Sequence, residues 1–123
     1  MMTAIAYTLA AVLNLFVLYI GLGFLVRPKT WAAGYGVPAK PDGDAAYLTV
    51  KGVRDATFGL VGLALLLAVG TYAGAWYMLV VALAPLGDMV IVLRHGGPKA
   101  TAFGVHLATS VVILISAALL FAA

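Results

Sequence analysis

Four stretches of this chain are apolar almost without interruption, and short polar breaks separate them. They run over about residues 4–26, 47–70, 74–93 and 99–122. Each holds about 20 residues or more, the length an α-helix needs to cross the hydrocarbon layer of a bilayer. The breaks carry ordinary punctuation. Arg27-Pro28 closes the first stretch, and a polar loop with Pro38, Pro41, Asp42 and Gly43 follows. Gly70 to Gly74 reads as a tight turn. Gly96-Gly97-Pro98 closes the last hairpin, with the proline near a helix start as helices prefer. The pattern predicts an all-α fold, a bundle of four transmembrane helices in a single domain over residues 1–123. Residues 28–35 read as a short interfacial helix. The first stretch lacks a charged segment before its apolar run, so it reads as a span and not as a signal peptide.

Composition sharpens this picture. Apolar residues make up 65% of the chain and charged residues 9%, with a mean hydropathy of +1.15. There is no cysteine, which excludes disulfides, thiolate metal sites and a cysteine nucleophile. There is no glutamate; the acids are Asp42, Asp44, Asp55 and Asp88. A net charge of +3 broken up by apolar runs does not suggest nucleic-acid binding. The basic residues instead suit membrane topology. Arg27, Lys29 and Lys40 lie in one loop, and Arg94 and Lys99 lie in another on the same side. The positive-inside rule puts both loops in the cytoplasm and both termini outside, in an inner or plasma membrane. Tyr7, Trp76 and Tyr77 would then form the outer aromatic belt, and Trp31, Tyr35 and Tyr47 the inner one.

Against this background, Lys51, Arg54 and Asp55 stand out: three charges on one turn of the second span. A charge at mid-bilayer costs about 2.5–3.5 kcal/mol on insertion scales. Ionisable groups kept in spans usually face a bundle interior. With a rise of about 1.5 Å per residue, Asp55 lies ~12 Å deep, Asp88 ~9 Å and His106 ~10 Å from the same side. Tyr19 reaches a similar depth on the first span, and Asn14 lies deeper. Three independent helices thus deliver ionisable groups to one level. Lys51, Arg54, Asp55 and Phe58 fall on one stripe, as do His106, Thr109 and Ser110. Pro85, three residues before Asp88, is expected to open the helix beside the acid. Gly87 leaves room for a neighbour or ligand.

Plainer roles exist for each residue. Lys51 can snorkel to the interface. Arg54 with either aspartate can be a packing ion pair. His106 can be a hydrogen-bonded packing residue, and Asn14 can be interhelical glue. Thr109 and Ser110 can bond backbone carbonyls. These roles explain poorly why so many ionisable groups share one depth. No metal site is indicated, because Lys51 and Arg54 would repel an ion held by Asp55, Asp88 and His106. No phosphate loop or haem pair is present, and no cofactor is implied.

The run Lys51-Gly52-Val53-Arg54-Asp55, then Phe58-Gly59, Gly87-Asp88 and Gly104-Val105-His106, resembles a family of small four-helix membrane proteins catalogued as a domain of unknown function. The resemblance covers nearly the whole chain. It implies a four-helix membrane fold and a shared polar site at Arg54, Asp55, Asp88 and His106. In its chemistry, an Asp–Arg–Asp site is similar to that of limonene-epoxide-hydrolase-type enzymes, which are soluble and differently folded.

The leading expectation is a membrane-embedded acid–base enzyme acting on a lipophilic small molecule, by epoxide opening or by a related isomerase or cyclase reaction. Asp55, beside Lys51 and Arg54, is cast as the base and Asp88, in an apolar stretch, as the acid, although the roles can be exchanged. Arg54 orients both, and His106, Asn14, Tyr19 and Lys51 position water or substrate. One alternative is a small proton-coupled exporter of the multidrug type, although those carry an acid on the first span where this chain has Asn14. Another is an accessory subunit whose Lys51 and Arg54 meet a partner helix or anionic lipid. Small residues on several faces leave room for a homodimer.

Overall fold

A computed structural model describes residues 1–123. Five helices follow in chain order: α1 (Met2–Val26), α2 (Pro28–Tyr35), α3 (Ala46–Val69), α4 (Thr71–Arg94) and α5 (Lys99–Ala122). All but α2 are long and apolar enough to cross a membrane. Only 22 of 123 residues are buried, so the outer faces of the four spans are apolar and suit lipid, not water. The expected bundle is therefore present, with each span within a few residues of its expected limits.

Local chemistry sets the breaks. Proline disfavours helical dihedrals in the residue before it. Arg27, at φ −135° and ψ 65°, duly ends α1, and Pro28 occupies the first turn of α2. Helix α2 stops at Gly36, whose φ of +105° suits glycine best. After α4, the Gly97 amide donates to the Val92 carbonyl (2.8 Å) and the Gly96 amide to the Leu93 carbonyl (3.3 Å). This pair of bonds is a Schellman cap, with Gly96 at φ +70°.

Packing is closest between α1 and α3. Gly21 faces the backbone of Gly52 and Ala56, and Gly59 and Gly62 face Asn14. Where lipid supplies no hydrophobic drive between helices, such small residues let backbones approach and gain dispersion contact. At the end of the bundle away from α2, Ala6, Ala10, Leu66, Ala75, Met78, Ala117 and Leu120 form the core. Tyr72, Trp76 and Phe121 pack edge-on there, with centroids 5.3–6.3 Å apart.

Two spans depart from regular geometry near the polar residues. Pro85 has no N–H for the Val81 carbonyl, and the α-helical bonding of α4 is interrupted at Ala82. The Ala82 carbonyl takes a long bond from the Leu86 amide (3.4 Å) and a second from the Ser110 hydroxyl (2.9 Å). In α5, residues Ala102–Leu107 form a π-helical turn. Such wide turns are frequent at functional sites, and this one carries His106.

Candidate functional site

A cavity of about 150 Å³ lies between α1, α3, α4 and α5, closed at one end by α2. Its walls are mostly apolar, with Phe16, Phe58, Met78 and Ile113 among them. Its polar groups come from all five helices. Asn14 is on α1, Tyr35 on α2, Lys51 and Asp55 on α3, Asp88 on α4, and His106 and Thr109 on α5. The shared depth inferred from helix rise thus becomes a shared space.

Two pairs organise it. The Lys51 ammonium bonds the Asp55 carboxylate at 2.9 Å, one helical turn apart, with side chains 27% and 14% exposed. The same ammonium sits 5.0 Å from the ring centroids of both Phe24 and Tyr35, within cation–π range. The Tyr35 hydroxyl donates to Asp88 Oδ1 at 2.8 Å. Burial pushes the Tyr35 phenol well above its ordinary range, and Asp88 adds to this in its ionised form, so the phenol holds its proton.

His106 is buried and has its Nε2 2.7 Å from the Tyr35 carbonyl oxygen. A carbonyl can only accept, so Nε2 carries a hydrogen, and in the neutral ring Nδ1 is then an acceptor. The Tyr35 carbonyl is one of the last of α2 and has no intrahelical donor. His106 supplies one, and the two rings lie 4.7 Å apart. At the deep end, the Asn14 amide donates to the Ala10 carbonyl (2.9 Å) and contacts Met78 sulfur (3.6 Å). Thr109 donates to the Val105 carbonyl (2.6 Å) and Ser110 to that of Ala82.

Two expected members lie elsewhere. Arg54 is exposed and does not line the cavity. A helix turns about 100° per residue, so Arg54 is rotated that far from Asp55, away from the pocket. The Asp–Arg–Asp arrangement is therefore not assembled; Lys51 takes the cationic place beside Asp55. Tyr19 is 61% exposed and lies edge-on to Trp31, with centroids 5.4 Å apart, outside the cavity.

Two tyrosines assigned to aromatic belts instead belong here. Tyr35 reaches the cavity because α2 folds over its end. Tyr77 is half-buried, lines the cavity and donates its hydroxyl to the Phe58 carbonyl. Spacing gave no cue to Tyr77. Tyr35 had one: it closes a short helix just before Gly36, so its carbonyl needed an outside donor. No group of three His or Asp side chains lies close enough to hold a metal ion.

Four lipid-facing helices around an apolar cavity, with a lysine–aspartate pair and a tyrosine–aspartate pair on its wall, define a small membrane-embedded polar site. The chain belongs to the family described as Domain of unknown function (DUF4267), whose profile matches residues 14–120. That range takes in every polar group of the cavity. No curated protein and no solved structure matches the chain.

Proposed function

We propose that this protein is a membrane-embedded acid–base catalyst acting on a lipophilic small molecule, with the opening of an epoxide by water as the reaction that best suits its groups. The observation that carries this reading is the joint placement of Lys51–Asp55 and Tyr35–Asp88 on one largely apolar cavity. Holding four such groups away from water is costly. Packing alone would be met by fewer of them. A cavity near 150 Å³ holds a benzene-sized group, so the reacting end of the substrate is compact.

In this reading the Asp55 carboxylate takes a proton from water, and the water oxygen forms a bond to an epoxide carbon. The carbon–oxygen bond of the ring breaks. Asp88, protonated on Oδ2, gives that proton to the departing oxygen. Tyr35, donating to Oδ1, stabilises the Asp88 carboxylate as it forms. Return of the proton from Asp55 to Asp88 through water resets the site. Lys51 orients Asp55, and His106 Nδ1 accepts a hydrogen bond from water or product. An isomerase or cyclase would use the same acid and base without the water. The pairing of Asp55 with Lys51 favours this reading over a freely titrating proton carrier.

The basic residues of the α1–α3 and α4–α5 connections support a placement with these loops and α2 in the cytoplasm. The substrate then enters from the bilayer or its inner leaflet.

The test is turnover of a panel of lipophilic epoxides by detergent-purified protein in isotopically labelled water, beside Asp88→Asn. Diol carrying one labelled oxygen is expected. Loss of the general acid lowers the rate by about 10²–10⁴-fold. An unimpaired Asp88→Asn protein would sink the mechanism. Proton release driven by substrate in proteoliposomes would move the assignment to transport.

A further inference from the structure

A second, more open chamber of about 280 Å³ lies under α2 between α1 and α5. Phe16, Ile20, Phe24, Trp31 and Val105 form its apolar wall, and Thr30 and Gly34 its rim. Five residues line both chambers: Phe16, Ile20, Tyr35, Val105 and His106. The two spaces therefore adjoin across the Tyr35–His106 pair. One side holds Lys51, Asp55 and Asp88; the other holds no charged side chain. Phe16 and Val105 are about half exposed, so the second chamber opens on the outer face of the bundle, where hydrocarbon lies.

We infer that this second chamber is a subsite for the unbranched hydrocarbon tail of a single-chain amphiphile whose polar end occupies the charged cavity. This rests on the reading of that cavity as the reacting site. The division of polarity matches such a molecule end for end. A lone phospholipid chain reaching in from the bilayer would fit the same walls, so the source of the tail must be read by experiment.

The structure supplies both a reporter and a plug. Trp31 and Trp76 are the chain's two tryptophans. Trp76 lies with Tyr72 and Phe121 at the far end of the bundle, so Trp76→Phe leaves Trp31 as the sole reporter of the chamber. Gly34 lines this chamber and not the first, and a Cβ there would meet nothing within 4 Å. The backbone at Gly34 therefore accepts a side chain, so Gly34→Leu adds bulk at the chamber's edge, and Gly34→Ala serves as the small control.

The experiment is quenching of Trp31 fluorescence in Trp76→Phe protein by bromohexadecanol and by bromohexanol, each brominated on its terminal carbon. Saturable quenching by the long alcohol is expected at concentrations well below those the short one needs. Gly34→Leu should weaken the long alcohol by about tenfold or more, the loss expected when two or three methylenes are turned out of an apolar site. Gly34→Ala should not. Quenching that is not saturable, or that Gly34→Leu leaves unchanged, overturns the subsite. Brominated phosphatidylcholine in nanodiscs that quenches Trp31 equally well, with relief by Gly34→Leu, overturns the free amphiphile in favour of bilayer lipid. Quenching reads occupancy without turnover. A chain-length-dependent signal from a protein inert toward every epoxide keeps the tail site and removes the proposed chemistry. Turnover without such a signal does the reverse.

Discussion

Adding one methyl group at Gly21 should unsettle the whole bundle, because this glycine lies where two backbones meet. A Cβ built there would sit on the Ala56 amide nitrogen, 2.7 Å from the Gly52 carbonyl oxygen and 2.8 Å from Ala56 Cα. All three atoms are backbone, so no side-chain rotation relieves the overlap. Bringing even the last of them to an ordinary 3.4 Å contact requires 0.6 Å of movement, 3.4 less 2.8. Helices α1 and α3 must part along a face that also seats Gly59 and Gly62 against Asn14. Overpacking of this kind costs about 1–3 kcal/mol, and the rigid partners argue for the upper end. The better helix propensity of alanine returns at most about 1 kcal/mol. The net expectation is a loss of about 2 kcal/mol for Gly21→Ala. The same substitution at Gly34, which faces open space, should be neutral or stabilising by up to about 1 kcal/mol. Reversible unfolding of both variants in bicelles, by denaturing detergent titration or steric trapping, measures the difference. If Gly21→Ala stays within about 0.5 kcal/mol of the parent, the inferred closeness of α1 and α3 is wrong.

Three further outcomes follow from the site and the core. Tyr35→Phe removes the bond to Asp88 and keeps the ring that His106 and Lys51 touch; turnover should fall by roughly 10- to 100-fold with little change in stability, the kinetic equivalent of a charge-assisted hydrogen bond. Lys51→Met leaves the Asp55 carboxylate unpaired in an apolar setting and should destabilise by about 3–5 kcal/mol, while Lys51→Met with Asp55→Leu recovers most of it; equal losses in single and double variants, read by the same unfolding titration, would show that the pair is not coupled. Ser116 is fully buried with no partner for its hydroxyl; Ser116→Ala should stabilise by about 1 kcal/mol, and a clear destabilisation would mean that the hydroxyl has a partner.

Much of this could be read along the chain. The spans, their breaks at Arg27-Pro28 and Gly96-Gly97-Pro98, and the short helix over residues 28–35 are local matters of hydropathy, proline and glycine. Asp55, Asp88 and His106 converge as helix rise alone suggested. Arg54 went astray because residues three apart share a broad stripe, yet a cavity wall is narrower than that stripe. Tyr19 went astray because depth says nothing about rotation about the helix axis. Position along the spans does not mark Tyr35 and Tyr77 as cavity residues, because aromatic residues near span ends have an ordinary interfacial role.

By itself the sequence determined that four helices are long and apolar enough to cross a membrane and at what height along them their ionisable groups lie, since rise per residue and hydropathy belong to each segment alone. Only the tertiary structure decided which of those groups face each other. That choice depends on how Gly21, Gly52, Gly59 and Gly62 let α1 and α3 close together, on the break at Ala82, and on the wide turn that carries His106. It also depends on α2 folding over the end of the bundle, which brings a tyrosine from a loop helix onto an aspartate 53 residues away. Rotation and docking arise from packing between segments, and no single segment encodes them.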